Sequence, residues 1–186
     1  MNSDLGTLLL TLARNAIAEK LDAPHLPDPE STSHAALLER GAVFVTLTWN
    51  GDLRGCIGSL EAWRPLHEDV KANAVAAAFR DPRFPPLSAD EFGITRVEVS
   101  LLTPAQAMSF VSEDDATQQL RPRIDGVILE YGKHRGTFLP QVWESLPEPR
   151  EFMAQLKRKA GLPPNFWNNE LKLSRYQVEK WKEPAA

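Results

Sequence analysis

Leu5, Leu8, Leu9, Leu12, Ala16 and Leu21 recur every three to five residues, which is the spacing of one face of an α-helix. The pattern predicts an amphipathic core helix with Ser3 or Asp4 as its N-cap. Pro24, Pro27 and Pro29 then break the chain, and SHAALLERG predicts a short helix closed by Gly41 at its C′ position. From Ala42 to Trp49 (AVFVTLTW) the period shortens to two, with β-branched and aromatic residues enriched, and Asn50-Gly51 supplies the two positive-φ residues of a tight hairpin. LRGCIG (Leu53–Gly58) is the return strand. A two-residue turn sets Trp49 opposite Asp52, Leu47 opposite Arg54 and Val45 opposite Cys56, so Arg54 and Cys56 share a face with Cα atoms about 6.6 Å apart.

PLHEDVKANAVAAAFRD predicts a helix with Pro65 in its first turn and a small-residue stripe through Ala74, Ala77 and Ala78. DPRFPPL is a proline-rich loop, Ser88–Glu91 (SADE) a capping box, and Ile94–Leu102 an alternating strand ended by Pro104. Ser112–Leu120 predicts a short helix. Asp125-Gly126 turns into the strand VILEY, and EPREFMAQLKRKAG is a helix stopped by Gly161, Pro163 and Pro164.

VTLTWNGDLRGCIG aligns with VILEYGKHRGTFL if one residue is deleted at the turn, matching Trp49 with Tyr131, Arg54 with Arg135 and Gly55 with Gly136. Each hairpin is followed by a helix, a loop and a closing strand, Ile94–Leu102 in one half and Leu171–Trp181 in the other. The expected fold is α+β, an antiparallel sheet with helices, built as one domain (1–186). It has an N-terminal helical segment, 1–40, and two pseudo-repeats, about 41–104 and 125–182.

Composition narrows the function. The 186 residues carry 21 Lys and Arg against 25 Asp and Glu, a net charge of −4, which argues against a nucleic-acid binder. No stretch is long and apolar enough to span a bilayer, and the N-terminal run lacks the basic start of a signal peptide. A lone cysteine cannot close an intramolecular disulfide, so a cytoplasmic location is expected. Nor can it hold an iron–sulfur cluster. There is no HxH, HExxH or CxxC, and the contiguous His67-Glu68-Asp69 would fan apart on a helix, so neither a metal site nor a cofactor is expected. The basic runs Lys157-Arg158-Lys159 and Arg121-Pro122-Arg123 read as solvated surface.

The candidate chemistry centres on Cys56. A cysteine beside Val45 can simply fill core. Yet Gly55 and Gly58 around it suggest close approach of a ligand or another backbone, and Arg54 on the same face favours the nucleophilic thiolate. His134, next to Arg135 in the repeat, is the candidate base among four histidines. Arg54 and Arg135, as equivalent positions each followed by glycine, are candidates to converge on one small anionic group.

LRGCIG, with FVTL before it, DPRFPPL after it and GTFLPQVW later, resembles the AMMECR domain family, from about Gly41 to Trp181. Arg54, Gly55, Cys56, Gly58, Arg83 and Phe84 match the family pattern. The resemblance implies an α+β domain with a functional LRGCIG segment and a cleft including it. It also implies work alongside a radical-SAM protein and a protein related to extradiol dioxygenases, either as a thiol-dependent catalyst or as a non-catalytic binding subunit. It implies no particular reaction.

Overall fold

The computed structural model describes residues 3–184, with side chains from Leu5 onward; the cap expected of Ser3 or Asp4 lies outside the described side chains. By contacts the chain divides into two compact units, 1–102 with 179–186, and 103–178.

In the first unit, α1 (Ser3–Lys20) precedes a two-stranded ribbon of β1 (Arg40–Gly41) and β4 (Arg64–Pro65). The hairpin strands β2 (Val43–Trp49) and β3 (Asp52–Gly58) lie between them in sequence, followed by α2 (Leu66–Phe79), the single turn α3 (Ala89–Phe92) and β5 (Arg96–Leu102). Strand alternation turns Val43, Val45 and Leu47 inward with Val97 and Val99 of β5. Leu9, Leu12, Ala13 and Ile17 of α1 and Val70, Ala74 and Ala77 of α2 complete that core. The second unit holds β6 (Gln106–Ala107), α4 (Glu113–Gln119), the hairpin β7 (Gly126–Tyr131) and β8 (His134–Phe138), α5 (Pro149–Lys159) and β9 (Lys172–Tyr176). Its core sets Phe152, Met153 and Leu156 of α5 against Val127, Leu129 and Leu173, and Trp143 stacks on Phe152 with ring centroids 3.8 Å apart. No helix among the described residues is long and apolar enough to cross a membrane.

Both units use one scheme. The strand orders are β10-β5-β2-β3 and β6-β9-β7-β8, where β10 is Val178–Lys182, and in each a hairpin is followed by a helix and a third, antiparallel strand beside the first. The expected closing strand Leu171–Trp181 is two strands: β9 stays in the second sheet and β10 joins the first. Gln177 makes the break, because its N–H donates to Thr103 Oγ1 and its carbonyl accepts from Thr103 N–H, both at 2.8 Å.

Three further expectations are corrected. Gly41 sits in β1 rather than closing a helix, and SHAALLERG contributes only a 3₁₀ turn, Ala35–Leu37. Lys157 is 1% exposed, paired with Glu113 and 5.7 Å from the Trp167 ring centroid, since its place on α5 lies on the stripe of Met153 and Ala160. The first residue of that basic run is therefore core, while Arg158 and Lys159 are exposed. The run Arg121-Pro122-Arg123, by contrast, is exposed as expected, with Arg121 held at 2.6 Å by the fully buried Asp125.

Candidate functional site

The register of the first hairpin departs from strict alternation. Trp49 pairs with Asp52 and Thr48 with Leu53, but Leu47 pairs with Gly55 and Thr46 with Cys56. Arg54 is thus the extra residue of a β-bulge, a device that re-aims a side chain. Arg54 and Cys56 do not share a face in the expected way, and Val45 lies opposite Ile57. The second hairpin has no such shift: Leu129 pairs with Gly136, Glu130 with Arg135 and Tyr131 with His134 across the two-residue turn Gly132-Lys133. Both turns contain two residues, so the length difference between the repeats lies at the bulge. By register Arg135 corresponds to Leu53, His134 to Asp52, and Arg54 to nothing.

The bulge drives Arg54 inward, where it is 7% exposed. Its Nε and Nη2 donate to the two carboxylate oxygens of Glu91, each at 3.0 Å, and Nη2 also donates to the Pro85 carbonyl at 3.0 Å. Nη1 has no hydrogen-bond partner; the guanidinium carbon lies 5.8 Å from the Phe84 ring centroid. Glu91 closes the capping box with Ser88 through the oxygen that faces Nη2. Arg54, and after it the Ser88 amide, hold the Glu91 carboxyl at about 2. Arg54 therefore ties the hairpin to the loop 81–87 and to α3.

Gly55 lies beneath α2: a Cβ there would stand 2.2 Å from the Ala77 carbonyl oxygen, a contact no rotamer can relieve. Its register equivalent Gly136 meets α5 at Ala160, less tightly, at 3.1 Å. The Arg-Gly pair of each repeat thus marks where the helix backbone crosses the return strand. At Gly58 a Cβ would enter the Phe44 ring at 2.2 Å. The fold alone accounts for both motif glycines.

Cys56 points away from α2 and is half-buried, with the Thr46 hydroxyl donating to its sulfur at 3.3 Å. Glu98 of β5 flanks Thr46 on the far side by register. β3 is an edge strand, and its outer backbone at Cys56 is occupied as a partner strand would occupy it. Asp81 Oδ2 accepts from Cys56 N–H at 2.9 Å, and Arg83 Nη2 donates to the Cys56 carbonyl at 3.3 Å. Asp81 grips Arg83 in a bidentate pair, at 2.7 and 3.0 Å. Chiefly through Arg83, the buried Asp81 carboxyl sits well below the usual carboxylate range.

Cys56, Arg54, Gly55, Gly58 and Arg83 come together in the first unit; His134 and Arg135 lie in the second. His134 Nδ1 is 3.1 Å from the Ala160 carbonyl, and Arg135 pairs with Glu130 at 3.0 Å on the sheet face opposite α5. Sequence reasoning missed Thr46, Asp81 and the second role of Glu91. The signals were present: Thr46 is the cross-strand neighbour of Cys56 once the bulge is admitted, and Asp-Pro-Arg spaces a carboxylate two residues from a guanidinium.

A crystal structure of an uncharacterized protein from Pyrococcus horikoshii is similar to this one, with a TM-score of 0.80 and 36% identity over 97% of this chain and 92% of that one. A protein of Methanothermobacter thermautotrophicus is 38% identical, covering 98% of this chain and 96% of its own, and one of Thermofilum pendens is 35% identical, covering 98% and 92%. The AMMECR1 family model matches residues 10–181, nearly the whole of both units, and the chain belongs to that family.

Proposed function

We propose that the protein acts through Cys56, as a thiol-dependent protein that takes a small thiol-reactive ligand on the sheet face bearing Thr46 and Glu98. One observation carries this reading: of the reactive groups in LRGCIG, Arg54 is consumed by Glu91 and Pro85, whereas Cys56 is only half-buried and, among the described residues, its sulfur has the Thr46 hydroxyl as its one hydrogen-bond partner. The Asp81–Arg83 clamp fixes the backbone at both polar groups of Cys56, so the thiol is presented on a rigid strand rather than a loop. Beside the sulfur stand the Thr46 hydroxyl, which donates to it at 3.3 Å, and the Arg83 guanidinium on the Cys56 carbonyl, so a ligand taken by the thiol meets a hydroxyl and a cation.

The test is alkylation of the folded protein by iodoacetamide near neutral pH. Cys56 is expected to react faster than free cysteine, and Arg83→Ala is expected to slow it by about threefold, the size suited to a half-exposed charge. Labelling confined to unfolded protein would return Cys56 to the role of core filler.

A second reading rests on the loop leaving β3, where Leu60 and Trp63 are 45% and 62% exposed. In it the chain is a scaffold subunit of the AmmeMemoRadiSam system, presenting this loop to a radical-SAM or dioxygenase-like partner. Trp63→Ala would then weaken that association while leaving Cys56 alkylation unchanged.

A further inference from the structure

Two guanidinium groups reach the same ring. The Arg54 and Arg83 guanidinium carbons lie 5.8 and 5.5 Å from the Phe84 ring centroid. Their other partners differ. Arg54 is buried in its pair with Glu91, and its buried Nη1 has no hydrogen-bond partner among the described residues. Arg83 is half-exposed and donates to the Cys56 carbonyl, while its own carboxylate partner, Asp81, accepts from the Cys56 N–H.

The loop that carries Phe84 reads DPRFPPL (Asp81–Leu87), and its sequence leaves it few backbone ties. Pro82, Pro85 and Pro86 have no N–H to donate, and the residue before each proline is steered to extended backbone. Two backbone bonds remain: Phe84 N–H to the Asp81 carbonyl at 3.2 Å, and Leu87 N–H to the Ala78 carbonyl at 2.8 Å. The first is internal to the loop and the second lies at its end. Across its middle the loop therefore meets the hairpin through side chains, with Arg54 on the Pro85 carbonyl at 3.0 Å and on the half-buried Phe84 ring, and Arg83 on Cys56.

We infer that Phe84 is a positioning residue for Cys56: its ring passes the hold of the Arg54–Glu91 pair on to Arg83, and so fixes the Asp81–Arg83 clamp on β3. The inference rests on the thiol reading for its purpose, since the clamp is what presents Cys56. The coupling through the ring exists whether or not the thiol reacts.

Amide hydrogen exchange of the full chain, followed residue by residue in NMR, tests it. Backbone groups of an edge strand turn alternately outward and toward the neighbouring strand, so the Cys56 N–H faces Asp81 while that of Ile57 faces Val45 and serves as the control. Phe84→Leu keeps an apolar side chain and removes the π face; exchange at Cys56 should rise about three- to fivefold, the worth of one cation–π contact, with Ile57 unchanged. Phe84→Tyr keeps the ring face and should exchange like wild type. Glu91→Gln loosens Arg54 and should also speed Cys56 relative to Ile57, but by a smaller factor when Phe84→Leu is already present, because the ring it acts through is gone. Equal rises at Cys56 and Ile57, a Leu variant as slow as wild type at Cys56, a Tyr variant no slower than the Leu variant, or full additivity of Phe84→Leu with Glu91→Gln would overturn the inference. If Phe84→Leu does not fold, Glu91→Gln decides alone: a selective rise at Cys56 supports the path to the clamp, and no rise overturns it. Iodoacetamide labelling of wild type keeps the two readings apart. Selective loosening around an unreactive Cys56 would retain Phe84 as the connector and end the thiol reading, and a reactive Cys56 without selective loosening would do the reverse.

Discussion

Removing the Glu91 carboxylate should expose how much the first unit depends on Arg54. The guanidinium is 7% exposed and makes three hydrogen bonds, two of them to Glu91. Glu91→Ala strands a buried cation on one backbone carbonyl, and breaking a buried pair in this way costs about 3–5 kcal/mol. Because the Glu91 side chain is itself 29% exposed, water can partly replace it, and about 3 kcal/mol is expected, including the lost capping box. Glu91→Gln can still close the capping box and isolates the charge, at about 1–2 kcal/mol. In urea, with a slope of about 2 kcal/mol per molar, Glu91→Ala should lower the midpoint by about 1.5 M. The pH dependence carries a sign. The folded-state value near 2 lies below the ordinary 4.5, so between those values the unfolded chain binds more protons. The stabilisation is complete above about pH 4.5 and is lost as pH falls toward 2. Wild type should converge on Glu91→Gln across that window. A gap that stays constant from neutral pH to pH 2.5, or a Glu91→Ala cost under about 0.5 kcal/mol, would refute the reasoning.

The two motif glycines under helices should differ in severity. Gly55→Ala meets a backbone oxygen at 2.2 Å and should cost about 3 kcal/mol in urea unfolding, while Gly136→Ala, at 3.1 Å or more, should fall within about 1 kcal/mol of wild type; equal costs would mean α2 and α5 yield alike. Asp81→Ala removes the acceptor of the Cys56 amide, which should then exchange its hydrogen at least about tenfold faster by NMR. Unchanged protection would show that Asp81 does not hold the strand.

Much of the scaffold was legible because local signals agreed with the global fold. The Asn50-Gly51 turn, with φ of 51° and 88°, is the hairpin that dipeptide demands, and Ser88–Glu91 caps a helix as its spacing requires. The site was less legible. A bulge adds a residue without changing composition, so period-two reasoning carried Arg54 to the wrong register and made it the false equivalent of Arg135. The glycines looked like room for a ligand; at Gly55 the room is filled by helix backbone from Ala77, more than twenty positions on, and at Gly58 by the Phe44 ring across the hairpin. Lys157 looked solvated because a charge run in sequence gives no hint that one member lies on the apolar stripe.

The central claim is that the Arg and Gly residues of LRGCIG hold the fold and leave the cysteine for chemistry. The unfolding free energy of Cys56→Ser tests it most directly. Serine keeps the hydrogen bond to Thr46 and the shape, so at a half-exposed site the change should lie within about 0.5 kcal/mol of wild type. A loss of about 2 kcal/mol or more, the cost of a hydroxyl forced into a dry core, would show the sulfur to be part of the packing and contradict the account.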